Sequence, residues 1–227
     1  MAFERAIEPA ELPRGRVLDR ALAGIGVRLA ARPDPSVNIE DTLLAAVEEG
    51  LERDDLRLLS LVVTWFGVHH ERVIADRLVR VVGGHPSRRV RAFWAALARW
   101  QGKDRRWARL AACWRGGRRV DLLPVGTAFQ LRRRGEDERF AGGPLRVPAG
   151  VLRDRPSDVA DPATLCRRHR AYRWRVIVGP TYRADMWALL EAEPGLSAAE
   201  LARRTYGSFA TAWQARRDFL LVHGGQD

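Results

Sequence analysis

The sequence predicts a mainly α-helical protein with an N-terminal antiparallel helical stack, a small β insert and a C-terminal bundle of three helices. Three observations lead to this prediction. Between residues 17 and 117, apolar residues recur every three or four positions in segments of about three turns. Between residues 118 and 160 that period is lost, and glycine and proline become frequent. Between residues 183 and 221, three short helical patterns follow one another.

Composition indicates an ordinary globular protein. The chain has 227 residues, of which 46% are hydrophobic and 30% charged, so it can bury a core and long disorder is not expected. The longest apolar run, 58–68, is too short to cross a membrane, and residues 1–14 lack the apolar region of a signal peptide. Two cysteines are too few for a disulfide framework. We therefore expect a cytoplasmic protein that stays out of the membrane and needs no cofactor.

The net charge of +11 favours a nucleic-acid partner, because basic side chains bind phosphates and release their counterions. Lys103 is the only lysine among 39 basic residues, a bias typical of a GC-rich genome, so each arginine carries less information than usual. Residues 61–116 hold 12 basic and 3 acidic side chains, whereas residues 184–227 hold 4 basic and 6 acidic ones. Any strong attraction for phosphate must therefore come mostly from outside the last three helices.

Residues 1–16 are predicted to form an irregular arm, because Pro9, Pro13 and Gly15 interrupt them. Residues 17–117 are predicted to form an α-helical body. Helix starts near residues 39, 55, 71, 87 and 104 are compatible with HEAT-like pairs of antiparallel neighbours, although no sequence repeat is detectable. The predicted helical segments are 17–31, 39–51, 56–68, 71–82, 87–100 and 104–114.

Residues 118–160 are predicted to form a small β-rich insert and a connector. Such an element needs a helical surface on which to pack. Residues 161–227 are assigned to the C-terminal domain, where Asp161 and Pro162 predict a helix start and 174–178 is compatible with either a helix or a strand. The short strands of the insert are expected at 120–123, 126–134, 138–140 and 145–147.

The C-terminal domain ends in three short predicted helices, the first of which covers about 182–193. The second begins with Ser197 and Glu200, the residue types of a capping box, in which each side chain accepts a hydrogen bond from a free backbone N–H. The third begins at Ser208. Its apolar side is predicted to carry Phe209, Ala212, Trp213, Phe219 and Leu220, and its other side Ala210, Thr211, Gln214 and Arg217.

The segment from Glu200 to Ala212, ELARRTYGSFATA, resembles the helix-turn-helix core of bacterial transcription regulators, which include winged-helix proteins. Ala202 matches the small residue that lets the two helices approach each other. Ser208 and Thr211 match the cap and the contact residue of the recognition helix. The resemblance implies a trihelical helix-turn-helix domain at the C-terminus.

Two features depart from that family. Tyr206 stands where the motif usually has glycine, which leaves the shape of the turn open. Too few residues follow Leu221 for a C-terminal hairpin. Any wing must therefore come from elsewhere in the chain, with the strand alternative at 174–178 as the favoured segment, or be absent.

The resemblance implies a transcriptional regulator that reads duplex DNA with the helix at 208–221, as a homodimer because one such unit reads a short site. Glutamine pairs with adenine and arginine with guanine in the major groove, while the remaining residues would contact the backbone. The residues expected to contact nucleic acid are Ser208, Thr211, Gln214, Arg217, Arg203, Arg204, Arg173, Arg175, Arg183, Arg88, Arg89, Arg105 and Arg106.

The alternative function is a protein-interaction scaffold or an antitoxin-like regulator. In that case the helical stack grips a protein partner and the C-terminal bundle is structural. Catalysis is not expected, because the chain has no phosphate-binding glycine loop, nucleophile elbow or HExxH motif. A metal site is not expected either, because Cys166 and His169 lack the second ligand pair that zinc needs.

Overall fold

The computed structural model of the chain describes residues 12–114 and 116–224. The predicted mainly α-helical class is confirmed, and the only strands of the described residues are β1 (Val120–Asp121) and β2 (Leu145–Arg146). No helix in this part of the chain is long and apolar enough to cross a membrane. The helices are α1 (Arg16–Gly24), α2 (Ile39–Glu52), α3 (Leu56–His69), α4 (Ala75–Gly83), α5 (Arg88–Trp100), α6 (Ala108–Ala111), α7 (Thr127–Arg134), α8 (Pro162–Arg168), α9 (Arg170–Val178), α10 (Tyr182–Ala192), α11 (Ala198–Thr205) and α12 (Phe209–His223).

Helices α2, α3 and α5 begin where side-chain caps predict them. The side chains of Asn38, Asp55 and Ser87 each accept a hydrogen bond from the backbone N–H three residues later. Such a cap satisfies one of the N–H groups that a helix leaves free at its start, and contributes about 1 kcal/mol. These helix starts could be predicted because the interaction is local.

Helix α3 lies at the centre of the first hydrophobic core. Its aromatic residues Trp65 and Phe66 are fully buried, and the Phe66 ring lies 5.8 Å from the ring of Trp94 and 4.9 Å from that of Trp107. The indole N–H of Trp65 donates to the carbonyl oxygen of Ile25 at 2.7 Å. This hydrogen bond joins α3 to the end of α1, so the uniformly apolar sequence of α3 reflects contact on most of its sides.

Three predicted helices of the body are shorter than expected. Helix α1 ends at Gly24 because Gly26 adopts a left-handed conformation (φ 89°), after which Val27 bridges to Val159. Helix α4 begins at Ala75, after a 3-10 turn and two extended residues. In the last segment a 3-10 turn, Arg105–Trp107, precedes the short α6. Of the predicted N-terminal arm, residues 1–11 lie outside the described residues.

The prediction of a β-rich insert is wrong for its longest segment. Residues 127–134 form α7, whereas a strand was expected at 126–134. Gly126 is left-handed (φ 86°), and the Thr127 hydroxyl bonds both backbone groups of Leu123. The remaining β structure is the parallel pair β1 and β2, which packs on α5. Residues 138–140 form a turn.

The start of α8 at Pro162 is as predicted, with Asp161 as its cap. Residues 174–178 are helical and belong to α9, so the strand alternative for them is wrong. His169 separates the two helices: one ring nitrogen accepts from the N–H of Tyr172 (3.1 Å) and the other lies 3.1 Å from the carbonyl oxygen of Val37. Burial lowers the pKa of His169 to about 4, so this ring is neutral at pH 7.

The C-terminal helices α10, α11 and α12 form a second, smaller hydrophobic core. Trp187 of α10 lies between Trp174 of α9, at a ring distance of 5.1 Å, and Phe219 of α12, at 5.5 Å. Met186, Leu190 and Leu201 complete the contact. The two cores meet along α9, whose Tyr172 belongs to the first core and whose Trp174 packs on the second.

Four buried charged side chains join the two cores. Glu40 of α2 and Arg77 of α4 come from the body, and Arg175 of α9 and Asp185 of α10 come from the C-terminal region. Arg77 contacts Glu40 and Asp185 at 2.7 Å each. Arg175 contacts the same two carboxylates at 2.7 Å each. We call these four residues the buried ion cluster.

Two positive and two negative charges balance within the buried ion cluster. Burial alone would raise the pKa of Glu40, but the guanidinium groups of Arg175 and Arg77 hold it below its usual value. The pKa of Asp185 is lowered for the same reason, and that of Arg175 is raised by the two carboxylates despite its burial. All four groups are therefore charged near pH 7, and each compensates another.

We expect Glu40→Gln to destabilise the protein by about 3–5 kcal/mol, because it leaves a buried guanidinium charge without compensation. Urea unfolding at pH 7 measures this difference. Glu52→Gln, on the same helix, removes only an exposed pair with Arg14 and is expected to cost less than about 1 kcal/mol. Equal effects of the two substitutions would show that the cluster is not desolvated.

Candidate nucleic-acid interface

Helices α11 and α12 begin at the capping residues that the sequence predicts. The Ser197 hydroxyl accepts from the N–H of Glu200 at 3.2 Å, and the Ser208 hydroxyl accepts from that of Thr211 at 3.1 Å. The second half of the predicted capping box is not formed, because the Glu200 carboxylate binds Arg203 instead, at 2.6 and 2.9 Å. Both helix starts are nevertheless fixed locally, which orients the first turn of each helix.

Tyr206 forms the turn between α11 and α12 by adopting the left-handed conformation itself (φ 59°, ψ 20°). The N–H groups of Tyr206 and Gly207 donate to the carbonyl oxygens of Arg203 and Ala202, the pattern of a Schellman motif. A left-handed residue other than glycine costs about 1–2 kcal/mol. The turn therefore keeps the left-handed shape that glycine usually provides, although the residue at this position is Tyr206.

Two contacts of the Tyr206 side chain compensate for this strained backbone. Its hydroxyl donates to a carboxylate oxygen of Asp41 at 2.8 Å, and its ring lies 5.5 Å from the guanidinium carbon of Arg77. Arg77 also donates to the carbonyl oxygen of Thr205, the last residue of α11, at 2.6 Å. The turn between α11 and α12 is therefore held by residues of the body.

Helix α12 buries a narrower side than the sequence predicts. Ala212, Ala215 and Phe219 are buried, and the two alanines allow close contact with α10 and α11. Phe209 and Trp213 were expected on the buried side, but they are 60% and 51% exposed. The apolar residues of α12 cover more of its circumference than the neighbouring helices can bury, so part of that surface faces solvent. Leu220, also expected to be buried, is exposed, as are Leu221 and Val222.

The four residues expected to read DNA are accessible to different extents. Ser208 is exposed, and Thr211 and Gln214 are half-buried. Arg217 is exposed; it contacts Asp218 at 3.3 Å, and its guanidinium lies 5.4 Å from the centre of the Trp213 ring. On the helix, Arg217 follows Trp213 by one turn and lies on the side away from Ala215, whereas Gln214 lies between that side and Ala215. A potential reading surface therefore exists, and the exposed ring of Trp213 lies at its edge.

Arginines expected to attract phosphate around α12 are paired within the chain. Because each exposed pair of this kind contributes about 0–1 kcal/mol, these arginines are weakly held. Their carboxylate partners nevertheless offset the positive charge of this region. The pairs are Arg173 with Glu191 (2.6 Å), Arg183 with Asp218 (2.7 Å), Arg203 with Glu200 (2.6 Å) and Arg204 with Glu193 (2.8 Å).

The expectation that Arg175 contacts nucleic acid is wrong. Its side chain is 0% exposed and belongs to the buried ion cluster, where it binds Glu40 and Asp185. A phosphate could reach it only if the two cores separated. Neighbouring arginines in the sequence suggested an arginine-rich surface. In the helix, however, Arg175 lies on the side that faces the body, whereas Arg173 lies on another side and is partly exposed.

The body does not present Arg88, Arg89, Arg105 and Arg106 as one stripe of free charge. Arg88 donates to the carbonyl oxygen of Arg118 at 2.8 Å and its guanidinium lies 4.9 Å from the centre of the Trp114 ring. Arg89 pairs with Asp54 at 3.0 Å, and Arg106 pairs with Asp104 at 2.6 Å. Of the four, Arg105 alone is exposed with no partner among the described residues.

Comparisons with known proteins add no assignment. No protein-family model, curated protein or solved structure matches the chain. The likeness to helix-turn-helix regulators therefore rests on α11, the turn and α12. The wing proposed at 174–178 is not formed, because those residues are helical.

Sequence reasoning missed the buried ion cluster, although one signal for it was present. Arg77 lies on the apolar side of α4, between the buried residues Ile74, Leu78 and Val81 at helical spacing. A charged residue at such a position needs a buried partner of opposite charge. The partner could not be identified, because Asp185 lies 108 residues further along the chain.

Asp41 gives the contact with Tyr206 a pH dependence. Burial raises the pKa of Asp41 to about 6, although the hydrogen bond from Tyr206 and the charge of Arg77 oppose this shift. The unfolded-state value is about 4, so the folded state binds the proton more tightly. The contribution of the Asp41 carboxyl to the free energy of unfolding therefore falls as the pH rises from about 4 to about 6, and it is constant above that range.

We expect Asp41→Asn to remove this dependence, because an asparagine can still accept from Tyr206 but does not titrate. The free energy of unfolding of the variant minus that of the unchanged protein should therefore rise between pH 4 and pH 6 and then level off. Urea unfolding at a series of pH values measures this difference. Asp19→Asn, on the exposed side of α1, controls for the loss of a surface carboxylate. A constant difference would contradict the desolvated contact between Asp41 and Tyr206.

Proposed function

We propose that this chain is a DNA-binding transcriptional regulator that reads duplex DNA with α12. The observation that supports the proposal is the geometry of α11 and α12: two capped helices joined by a left-handed turn, with the start of the second helix accessible. In helix-turn-helix proteins the second helix enters the major groove through its N-terminal residues. The protein acts by binding, not by catalysis.

Each residue of the proposed reading surface has a defined role. Gln214 pairs with an adenine edge and Arg217 with a guanine edge, both of which present two hydrogen-bonding groups in the major groove. Ser208 and Thr211, at the start of α12, reach the phosphate backbone. Arg217 exchanges its exposed contact with Asp218 for the base, a change that costs little because the ion pair is weak.

The local charge around α12 limits what this helix contributes to affinity. The carboxylate of Asp218 accepts from both Arg183 and Arg217, so it lies close to the proposed reading surface and repels phosphate. We propose that α12 supplies selectivity and that arginines elsewhere supply most of the attraction. A homodimer would place two copies of α12 one helical turn of DNA apart.

We expect the double variant Gln214→Ala, Arg217→Ala to lose its preference for a sequence selected from a random duplex pool. Each good base contact discriminates by about 1–3 kcal/mol, so the ratio of dissociation constants for scrambled and selected duplex should fall by at least about tenfold. Fluorescence anisotropy at fixed salt measures both constants. The matched control is Gln101→Ala with Arg57→Ala, on the body. Retention of the preference in the α12 variant would remove this helix as the reader.

A second function, protein contact through the same helix, is favoured by the exposed apolar residues of α12. Aromatic side chains are enriched in protein interfaces, and contiguous apolar surface rarely faces solvent without a partner. As the partner we propose a second copy of the chain; it would cover Trp213 and the adjacent Arg217, so contact between copies through this face is an alternative to DNA reading by α12. The residues concerned are Phe209, Trp213, Leu220, Leu221 and Val222.

We expect Trp213→Ser with Leu221→Ser to weaken self-association, because both substitutions remove apolar surface that a second copy would bury. Sedimentation equilibrium over a range of protein concentrations measures the dimer dissociation constant. Val17→Ser with Val68→Ser is the control, since these exposed valines lie on the body. A chain that is monomeric at every concentration, or a dimer unaffected by the α12 variant, would contradict contact between copies through this face.

A further inference from the structure

Helix α7 projects from the body and buries little of its own surface. Thr127 is its one fully buried residue; Gln130 and Leu131 are half-buried. Phe129 is 60% exposed, and Val125, just before the helix, is 84% exposed. A short helix that buries so little gains little stability from packing, so its exposed residues need another explanation.

The last turn of α7 carries three exposed arginines, Arg132, Arg133 and Arg134. None of them makes an ion pair or a side-chain hydrogen bond with any described residue. The arginines near α12 are paired with carboxylates, so the two surfaces differ in kind. Positive charge at a helix C-terminus is favourable by a few tenths of a kcal/mol, but this does not account for an exposed phenylalanine one turn earlier.

Helical spacing brings the apolar and basic groups of α7 together. Phe129, Arg132 and Arg133 stand at positions i, i+3 and i+4, so they lie on one side of the helix. A guanidinium group offers a planar set of donors that matches phosphate oxygens, and an adjacent ring offers an apolar surface to a sugar. The complementary partner is therefore a polyanion with regularly spaced phosphates and apolar surface between them.

We propose that α7 is a second DNA contact, in which Arg132 and Arg133 bind backbone phosphates of the duplex, Phe129 packs against the deoxyribose beside them and Arg134 adds positive charge at the end of the helix. Duplex DNA is favoured over an anionic membrane because Val125 and Phe129 are the only large exposed apolar residues here, whereas a helix that lies in a membrane needs a whole apolar face. The choice of partner rests on the proposed function, but α7 and α12 are separate surfaces.

The test replaces the three arginines with glutamine in the full chain, which keeps helix-forming residues at those positions. Binding to a duplex of random sequence is measured by fluorescence anisotropy between 50 and 200 mM salt. Each lost phosphate contact should reduce the slope of log K against log salt by about 0.9, so the triple variant should lose about 1.8 through Arg132 and Arg133. Arg16→Gln, Arg28→Gln, Arg57→Gln is the control, because it removes the same charge from exposed arginines that also lack partners among the described residues.

Phe129→Ser separates the apolar contact from the charge. It should weaken binding at every salt concentration while leaving the slope unchanged, because no phosphate contact is removed. Urea unfolding of each variant shows whether the fold is retained; α7 packs so little that a change in the unfolding midpoint is not expected. A drop in the slope that is equal in the control and in the α7 variant would overturn the inference, since it would reflect net charge alone.

The outcomes for α7 and α12 are distinguishable. If the Gln214 and Arg217 double variant loses sequence preference while the α7 variant keeps its salt slope, the proposed function stands and this inference fails. If the slope falls with α7 but preference survives in the α12 variant, the inference stands and α12 is not the reader. If the chain binds phosphatidylserine vesicles through α7 and does not bind duplex, the partner is a membrane and the inference is overturned.

Discussion

Four buried charges set the position of the C-terminal helices relative to the body. In the buried ion cluster Glu40 and Asp185 each bind both Arg77 and Arg175. Removing such groups from water costs several kcal/mol per ion, and their attraction offsets this only when the geometry is good. A small shift of α10 would leave a charge without its partner. An orientation that separates these groups is therefore disfavoured, because it leaves a buried charge uncompensated.

That orientation extends to the turn before α12. Arg77 donates to the carbonyl oxygen of Thr205, and Asp41 accepts from the hydroxyl of Tyr206, so body residues hold the start of the turn. Glycine at position 206 would relax the backbone but would lose the hydroxyl and the ring. Tyr206 therefore has a strained backbone, but its side chain connects the body to the turn before α12. The direction of α12 depends on this link as much as on the helices packed beside it.

For several helix starts the determining contact is local, and there the sequence was sufficient. Asn38, Asp55 and Ser208 cap helices through the N–H groups three residues later, so those helix starts could be read directly. The burial of Arg175 could not be predicted in this way, because its partner Glu40 lies 135 residues away in the sequence. Helix α7 was mistaken for a strand although Gln, Leu and Arg favour helices, because flanking glycines suggested β turns. In α12 the periodicity predicted that Phe209, Trp213 and Leu220 are buried, which is wrong, because α10 and α11 cover only a narrow side of the helix.

Under the proposed function, the distribution of charge would separate attraction for DNA from reading of its sequence. Carboxylates beside Arg183, Arg203 and Arg204 offset their positive charge, and exposed charges act only over about 8–10 Å in physiological salt. Around α12 a polyanion would thus meet nearly neutral surface, whereas at α7 it would meet three uncompensated guanidinium groups. A reading helix without net attraction does not hold the chain on incorrect sequences, because hydrogen bonds to base edges form only where the bases match. Substitutions of arginines on the body would then change the sequence-independent affinity without changing which bases α12 contacts.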